Sequence, residues 1–252
     1  MTLKIFTVIA VLFASFAFTS VESSNNPETL ISTTIRTSED LNSENAFTNT
    51  LTLEEEIHQL YNVFEENNES VPNITSFRNA MVGYYKLAEQ EVVEKEILTI
   101  IDFNLSSTKK RMWVLDMANN KVLYHTLVAH GKNTGNEYAT KFSNTVNSLQ
   151  SSLGFFVTGE TYFGGNGYSM FIDGMEEKFN SKARERYVVV HGAAYANPDS
   201  IKNLGRLGRS YGCPALPTSV TKEIIDIIKD KSVLYIHSSN KNYNDNSEMI
   251  KV

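Results

Sequence analysis

The sequence predicts a mainly β fold, an antiparallel sandwich or open barrel, preceded by a pair of helices. Two observations predict the β part. From Glu96 onward, short runs of β-branched and aromatic residues follow one another with turn residues between them. Those runs do not alternate regularly with helical patterns, which argues against a parallel α/β sheet. A third observation predicts the helices: before Glu96, apolar residues recur at helical spacing in two segments separated by Pro72.

Taken in order, residues 1–20 read as a signal peptide. Lys4 gives a positive start, Ile5 to Phe18 an apolar run, and Ala10, Ala14 and Ala17 small residues toward its end. The run is shorter than a membrane span and has a polar flank, so cleavage near Ser20 and no stable membrane anchor are expected. No cysteine follows it, which excludes a lipoprotein and leaves a periplasmic or extracellular protein. Residues 21–50 are polar, with five acids and one Arg, and so carry −4 of the net charge of −6. Such a stretch buries too little apolar surface to order itself and reads as a flexible linker.

Residues 51–95 form the helical extension. Ile57, Leu60, Tyr61 and Phe64 share one face of the first helix. Asn73 or Thr75 can cap a second, on which Phe77, Met81, Tyr84, Tyr85 and Leu87 recur. The pair is expected to brace the next domain, which spans 96–240. Its strand candidates are Ile97 to Asn104, Arg111 to Met117, Val122 to Val128, Phe155 to Thr158, Ser169 to Ile172, Tyr187 to His191 and Ser232 to Ile236. In the second, Trp113 and Leu115 are expected inside and Met112, Val114 and Asp116 outside. Thr218 to Lys229 reads as a helix, and a polar tail, 241–252, is expected to fray.

The chemistry concentrates in Tyr187 to Pro217, YVVVHGAAYANPDSIKNLGRLGRSYGCPALP, which holds the chain's only cysteine, Cys213. An apolar strand ends at His191-Gly192, and a glycine-rich loop delivers Ser210-Tyr211-Gly212-Cys213-Pro214. A thiol and an imidazole on such loops are the parts of a cysteine acyl-transferase, with glycine-flanked N–H groups for the oxyanion. The alternative is a buried cysteine acting as a small hydrophobe near a satisfied histidine. One cysteine allows no internal disulfide. The absence of a basic stripe argues against nucleic acid. No metal-ligand spacing and no phosphate loop occur, so no cofactor is expected.

The segments HGAAYA and GRSYGCPAL resemble the murein L,D-transpeptidase catalytic-domain family, in its YkuD-related branch. His130-Gly131-Lys132, Phe142-Ser143-Asn144, Ser151-Ser152-Leu153-Gly154, Thr158 to Tyr162, Gly167-Tyr168-Ser169 and Asp173-Gly174 follow the same order, over about residues 96 to 240. The YkuD-type motif has a His two residues before the Cys and an Arg two after it; Tyr211 and Ala215 stand there in this chain.

The resemblance implies a compact, mainly β catalytic domain. It also implies Cys213 as nucleophile, His191 as general base and the Gly192 carbonyl as the third member. Tyr211 and Gly212 are the oxyanion-hole candidates beside Cys213. Arg209, Ser210, His130 and Tyr168 are the substrate-binding candidates, with Tyr162 and Tyr211 as further groove-lining aromatics. The implied substrate is the peptidoglycan stem peptide, cross-linked by L,D-transpeptidation or trimmed by L,D-carboxypeptidation through a Cys thioester. Carbapenem-type β-lactams are the implied inhibitors. The rivals are a degenerate wall-binding module of the same fold and an unrelated secreted cysteine peptidase. An imidazolium paired with Cys213 would bring alkylation below the free-thiol pKa of about 8.5.

Overall fold

The computed structural model describes residues 51–252; the signal-peptide and linker assignments lie outside the described residues. The first helix, α1 (Leu53–Asn67), opens on a capping box in which Thr52 and Glu55 each accept the other's backbone N–H. The second, α2 (Ile74–Glu89), is capped by Asn73, whose Oδ1 accepts the Thr75 N–H at 2.9 Å. Phe77 sits edge-on to Tyr61 and Phe64 at 5.2 and 5.5 Å between ring centroids, locking the two helices together.

Eight strands follow: β1 (Ile97–Asp102), β2 (Met112–Asp116), β3 (Lys121–Thr126), β4 (Gly154–Gly164), β5 (Gly167–Gly174), β6 (Val189–Gly192), β7 (Ala215–Leu216) and β8 (Val233–His237). They form one sheet in the order β3-β2-β1-β8-β4-β5-β6-β7. All neighbours are antiparallel except β1 with β8 and β6 with β7. The sheet nearly closes into a barrel, because Ala129 and Ala215 exchange backbone hydrogen bonds of 2.8 and 3.3 Å. Three helices complete the chain: α3 (Pro198–Leu204), α4 (Thr221–Ile228) and α5 (Lys241–Asn246).

Met112, Trp113, Val114 and Leu115 are all buried, so the expected in–out alternation along β2 is absent. The reason is two-sided coverage. Helix α2 lies against β1 and β8, α1 touches β3, and α4 packs on β1, β5 and β6, so the central strands are apolar on both faces. The helical pair belongs to the same compact unit as the sheet, which spans Thr52–Val252. At Gly83, midway along α2, an added Cβ would lie 2.1 Å from the Phe155 ring, so glycine lets the helix approach β4.

The tail does not fray. Tyr243 on α5 is fully buried and donates to Glu176 Oε2 at 2.9 Å, while Ser247 donates to Oε1 at 2.5 Å. Arg78 and Lys86 on α2 donate to the carbonyls of Ile250, Glu248 and Lys251. One aromatic anchor and a set of side-chain-to-backbone bonds hold a segment whose polar composition predicted disorder.

Candidate active site

The barrel seam builds the site. Tyr162 on β4, Ser169 on β5, His191 on β6 and Ala215 on β7 stand side by side in register. Two residues before Ala215, the seam ends in the loop that carries Cys213. Helix α3 stops at Gly205, whose φ of 70° is left-handed, and the chain turns back along the 129–132 segment. Ser210 N–H donates to the His130 carbonyl at 3.0 Å, and Lys132 N–H to the Ser210 carbonyl at 2.7 Å. The buried Ser210 hydroxyl then clasps the loop, donating to the Cys213 carbonyl at 2.6 Å and accepting the Gly212 N–H at 3.1 Å. Gly212 has a φ of 132° and an added Cβ would meet the Gln150 carbonyl at 2.9 Å, so this position requires glycine.

The nucleophile candidate is half-buried, with its Sγ between two backbone groups of the neighbouring segment. The thiol donates to the Tyr187 carbonyl at 3.4 Å and accepts the Val189 N–H at 3.5 Å. Tyr187 adopts a left-handed φ of 52°, uncommon for a residue with a side chain, and its carbonyl is the one turned to the sulfur. Burial pushes the thiol pKa up, opposed by the Val189 N–H and the Arg186 charge. His191 is buried, which lowers its pKa, while its Nδ1 faces the Gly192 carbonyl at 3.0 Å. A carbonyl only accepts, so Nδ1 carries the proton and Nε2 is left as a base.

No hydrogen bond joins His191 to Cys213 among the described residues, and both groups rest uncharged. This corrects the expected imidazolium–thiolate pair: burial disfavours charge on both members. Gly192 supplies the carbonyl that the resemblance implies, and its own lack of a side chain is needed because a Cβ would meet Thr221 Oγ1 at 2.7 Å.

The other predicted residues divide. The N–H groups of Tyr211 and Cys213 have no acceptor among the described residues and suit an oxyanion, whereas the Gly212 N–H is already held by Ser210. Ser210 therefore shapes the loop and does not present its hydroxyl to a substrate. His130 is 1% exposed. Its Nδ1 accepts from Arg111 at 2.8 Å and its Nε2 faces the Gly135 carbonyl at 3.4 Å. Burial and the Arg111 charge push its pKa down to about 4. It is a neutral interior residue, not a groove residue. Tyr168 lies on the face opposite His191 and donates to Asp226 Oδ1 on α4 at 2.7 Å. Arg209 reaches the rim, with Nη1 donating to the Lys132 and Gly135 carbonyls and Asn136 Oδ1 at 3.0–3.1 Å.

Sequence reading missed Arg186, which stands within the charged run KARERY with nothing to single it out, and read Tyr187 only as the start of a strand. It also missed Arg184, which pairs with Glu160 and Asp173 and covers the Phe171 ring at 4.7 Å. Phe171 stacks on Tyr162 at 4.6 Å, on the same face as His191.

A family model described as L,D-transpeptidase catalytic domain matches residues 68–237. The match starts before 96 and so takes in α2. No curated protein sequence matches the chain. Among solved structures, an L,D-transpeptidase from Mycobacterium smegmatis is similar at 15% identity, covering 57% of this chain and 59% of its own, with a TM-score of 0.35. An Enterococcus faecium L,D-transpeptidase is similar at 20% identity over 57% of this chain and 50% of its own, with a TM-score of 0.33. The helical cell shape determining protein Pgp2 from Campylobacter jejuni gives 12% identity over 68% and 58%, with a TM-score of 0.39. The chain thus spans between half and three fifths of the length of these three proteins.

Proposed function

Because the chain belongs to the L,D-transpeptidase catalytic-domain family, we propose that it is an exported, periplasmic or extracellular cysteine acyl-transferase acting on peptidoglycan stem peptides. The observation that carries this reading is the placement of the chain's one thiol at the barrel seam. One strand away is an imidazole whose tautomer leaves Nε2 as the base.

In the proposed cycle, substrate enters and the Cys213 thiol turns from the Tyr187 carbonyl toward His191. Nε2 takes the thiol proton as sulfur attacks the peptide carbonyl, and the oxyanion meets the Tyr211 and Cys213 N–H groups. Collapse breaks the C–N bond, and the imidazolium returns its proton to the departing amine, the terminal D-alanine of the stem. The resulting thioester is opened by a second amine, giving a cross-link, or by water, giving the trimmed peptide. Carbapenem-type β-lactams would acylate the same sulfur. Arg209 on the rim is the proposed contact for a substrate carboxylate.

Incubating the mature protein with labelled muropeptides, and reading products by mass spectrometry, tests this. Wild type should give cross-linked or shortened products and Cys213→Ala none; processing of ordinary L-peptides instead would mark a peptidase. The resting separation of thiol and imidazole favours one rival, a wall-binding module without turnover. Peptidoglycan binding with neither products nor a thioester would establish that rival.

A further inference from the structure

Arg186 is the cation whose charge bears on Cys213, and the structure holds it there on four bonds. Its Nη1 donates to the Ser143 carbonyl at 2.7 Å and to Ser152 Oγ at 2.5 Å. Its Nη2 donates to the Gln150 carbonyl at 2.5 Å and to Ser148 Oγ at 3.2 Å. All four acceptors lie on the 143–152 loop. That loop is locked in turn to the catalytic loop, because Ser151 Oγ donates to the Gly212 carbonyl at 3.1 Å and accepts the Gly131 N–H at 3.0 Å. Nη2 lies 3.5 Å from where a Cβ would stand on Gly212, the residue before the nucleophile. The guanidinium is therefore fixed beside Gly212, the residue before the nucleophile, which carries no side chain.

We propose that Arg186 is a positioning residue for the transferase reaction, clamping the 143–152 loop against Gly212 while its charge steadies the Cys213 thiolate formed during attack. It rests on the transferase reading for its place in catalysis. The other titratable groups around the sulfur cannot take this part. His191 on β6 is neutral at rest; Tyr195, in the turn after β6, is a phenol pushed further up by burial and by Cys213; Tyr211 is a second phenol. Arg186 and Cys213 each feel the other, in the direction that favours the charged form of both. Nor does the catalytic loop bring its own cation to this spot. Arg209 is turned to the 132–136 carbonyls, and the position two residues after Cys213 is the fully buried Ala215.

The test follows the rate of Cys213 alkylation by iodoacetamide against pH in the folded full-length chain, read by mass spectrometry. It needs no muropeptide, so its failure is separable from failure of the transferase reading. Arg186→Gln should move the midpoint up by about one pH unit, as expected for losing an opposite charge close to the thiolate. Arg186→Lys, which keeps the charge but not the four-way clamp, should recover more than half of that shift. Equal displacement by Gln and Lys, or none by either, overturns the proposal, since a purely structural clamp does not distinguish charge. Should Arg186→Gln fail to fold, the double variant Ser148→Ala/Ser152→Ala decides. It removes two of the four anchors and loosens the cation from its place, so an upward shift of part of a pH unit supports the proposal and an unmoved midpoint overturns it.

Discussion

With the Cys213 thiol on the Tyr187 carbonyl and the His191 pKa lowered by burial, the proposed base and nucleophile share no hydrogen bond at rest. This separates two measurements that an ion pair would couple. His191→Ala should leave the pH midpoint of Cys213 alkylation within about half a unit of wild type, because no imidazolium holds the resting thiolate. The same variant should lose at least 100-fold in thioester formation with a carbapenem, the scale of a removed general base. A midpoint that rises by a full unit would mean a charged pair at rest. At this scale the sequence was informative where chemistry is local. Cys213, His191 and Gly192 lie in one segment, and their glycine neighbours mark them. Arg186 was illegible because its role depends on a loop about forty residues earlier in the chain. For Ser210 and His130, residue type did not show that their polar atoms are engaged within the protein, Ser210 on backbone groups and His130 on Arg111 and the Gly135 carbonyl.

Among the elements, α2 and the tail carry the sharpest expectations. Gly83→Val should destabilise the fold by about 2–4 kcal/mol in urea unfolding, since overpacking against Phe155 adds to the helix cost of a β-branched residue. Glu176 accepts from the Phe155 N–H, Tyr243 and Ser247, yet burial raises its pKa. A raised folded-state pKa means stability that is present below the unfolded value, about 4.3, and lost as pH climbs through the folded one. Glu176→Gln cannot ionise, so its destabilisation relative to wild type should be smaller at pH 7 than at pH 4. An equal cost at both values would show Glu176 unshifted. Both helices and seven strand centres were legible from periodicity and β-propensity. The length of β4 was not, because its outer half, with Glu160 and Gly164, lacks a buried pattern. Nor was α5, whose single apolar anchor, Tyr243, makes no period.

For the whole molecule, the charge is unevenly shared: residues 21–50 hold −4 of the net −6 in thirty residues, whereas residues 51–252 hold −3 in about two hundred. Export is the proposal that goes with an apolar amino terminus ahead of that stretch. Mature protein from a bacterial host should begin between about Phe18 and Asn25, and intact Met1 recovered with membranes would refute it. The sheet order adds a constraint on when such a chain can fold. β8, the last of the eight described strands to be made, is seated between β1 and β4 at the centre of the sheet. Until residues 233–237 are available, β1 and β4 have no strand between them and the β3-β2-β1 and β4-β5-β6-β7 halves meet only at the Ala129–Ala215 seam, while the pairing of β1 with β8 spans more than 130 residues of chain. Synthesis order and folding order therefore run against each other. A ribosome-bound chain that has released everything up to Lys231 still has β1 and β4 as open edges, and the five residues of β8 are what join them at the centre of the sheet.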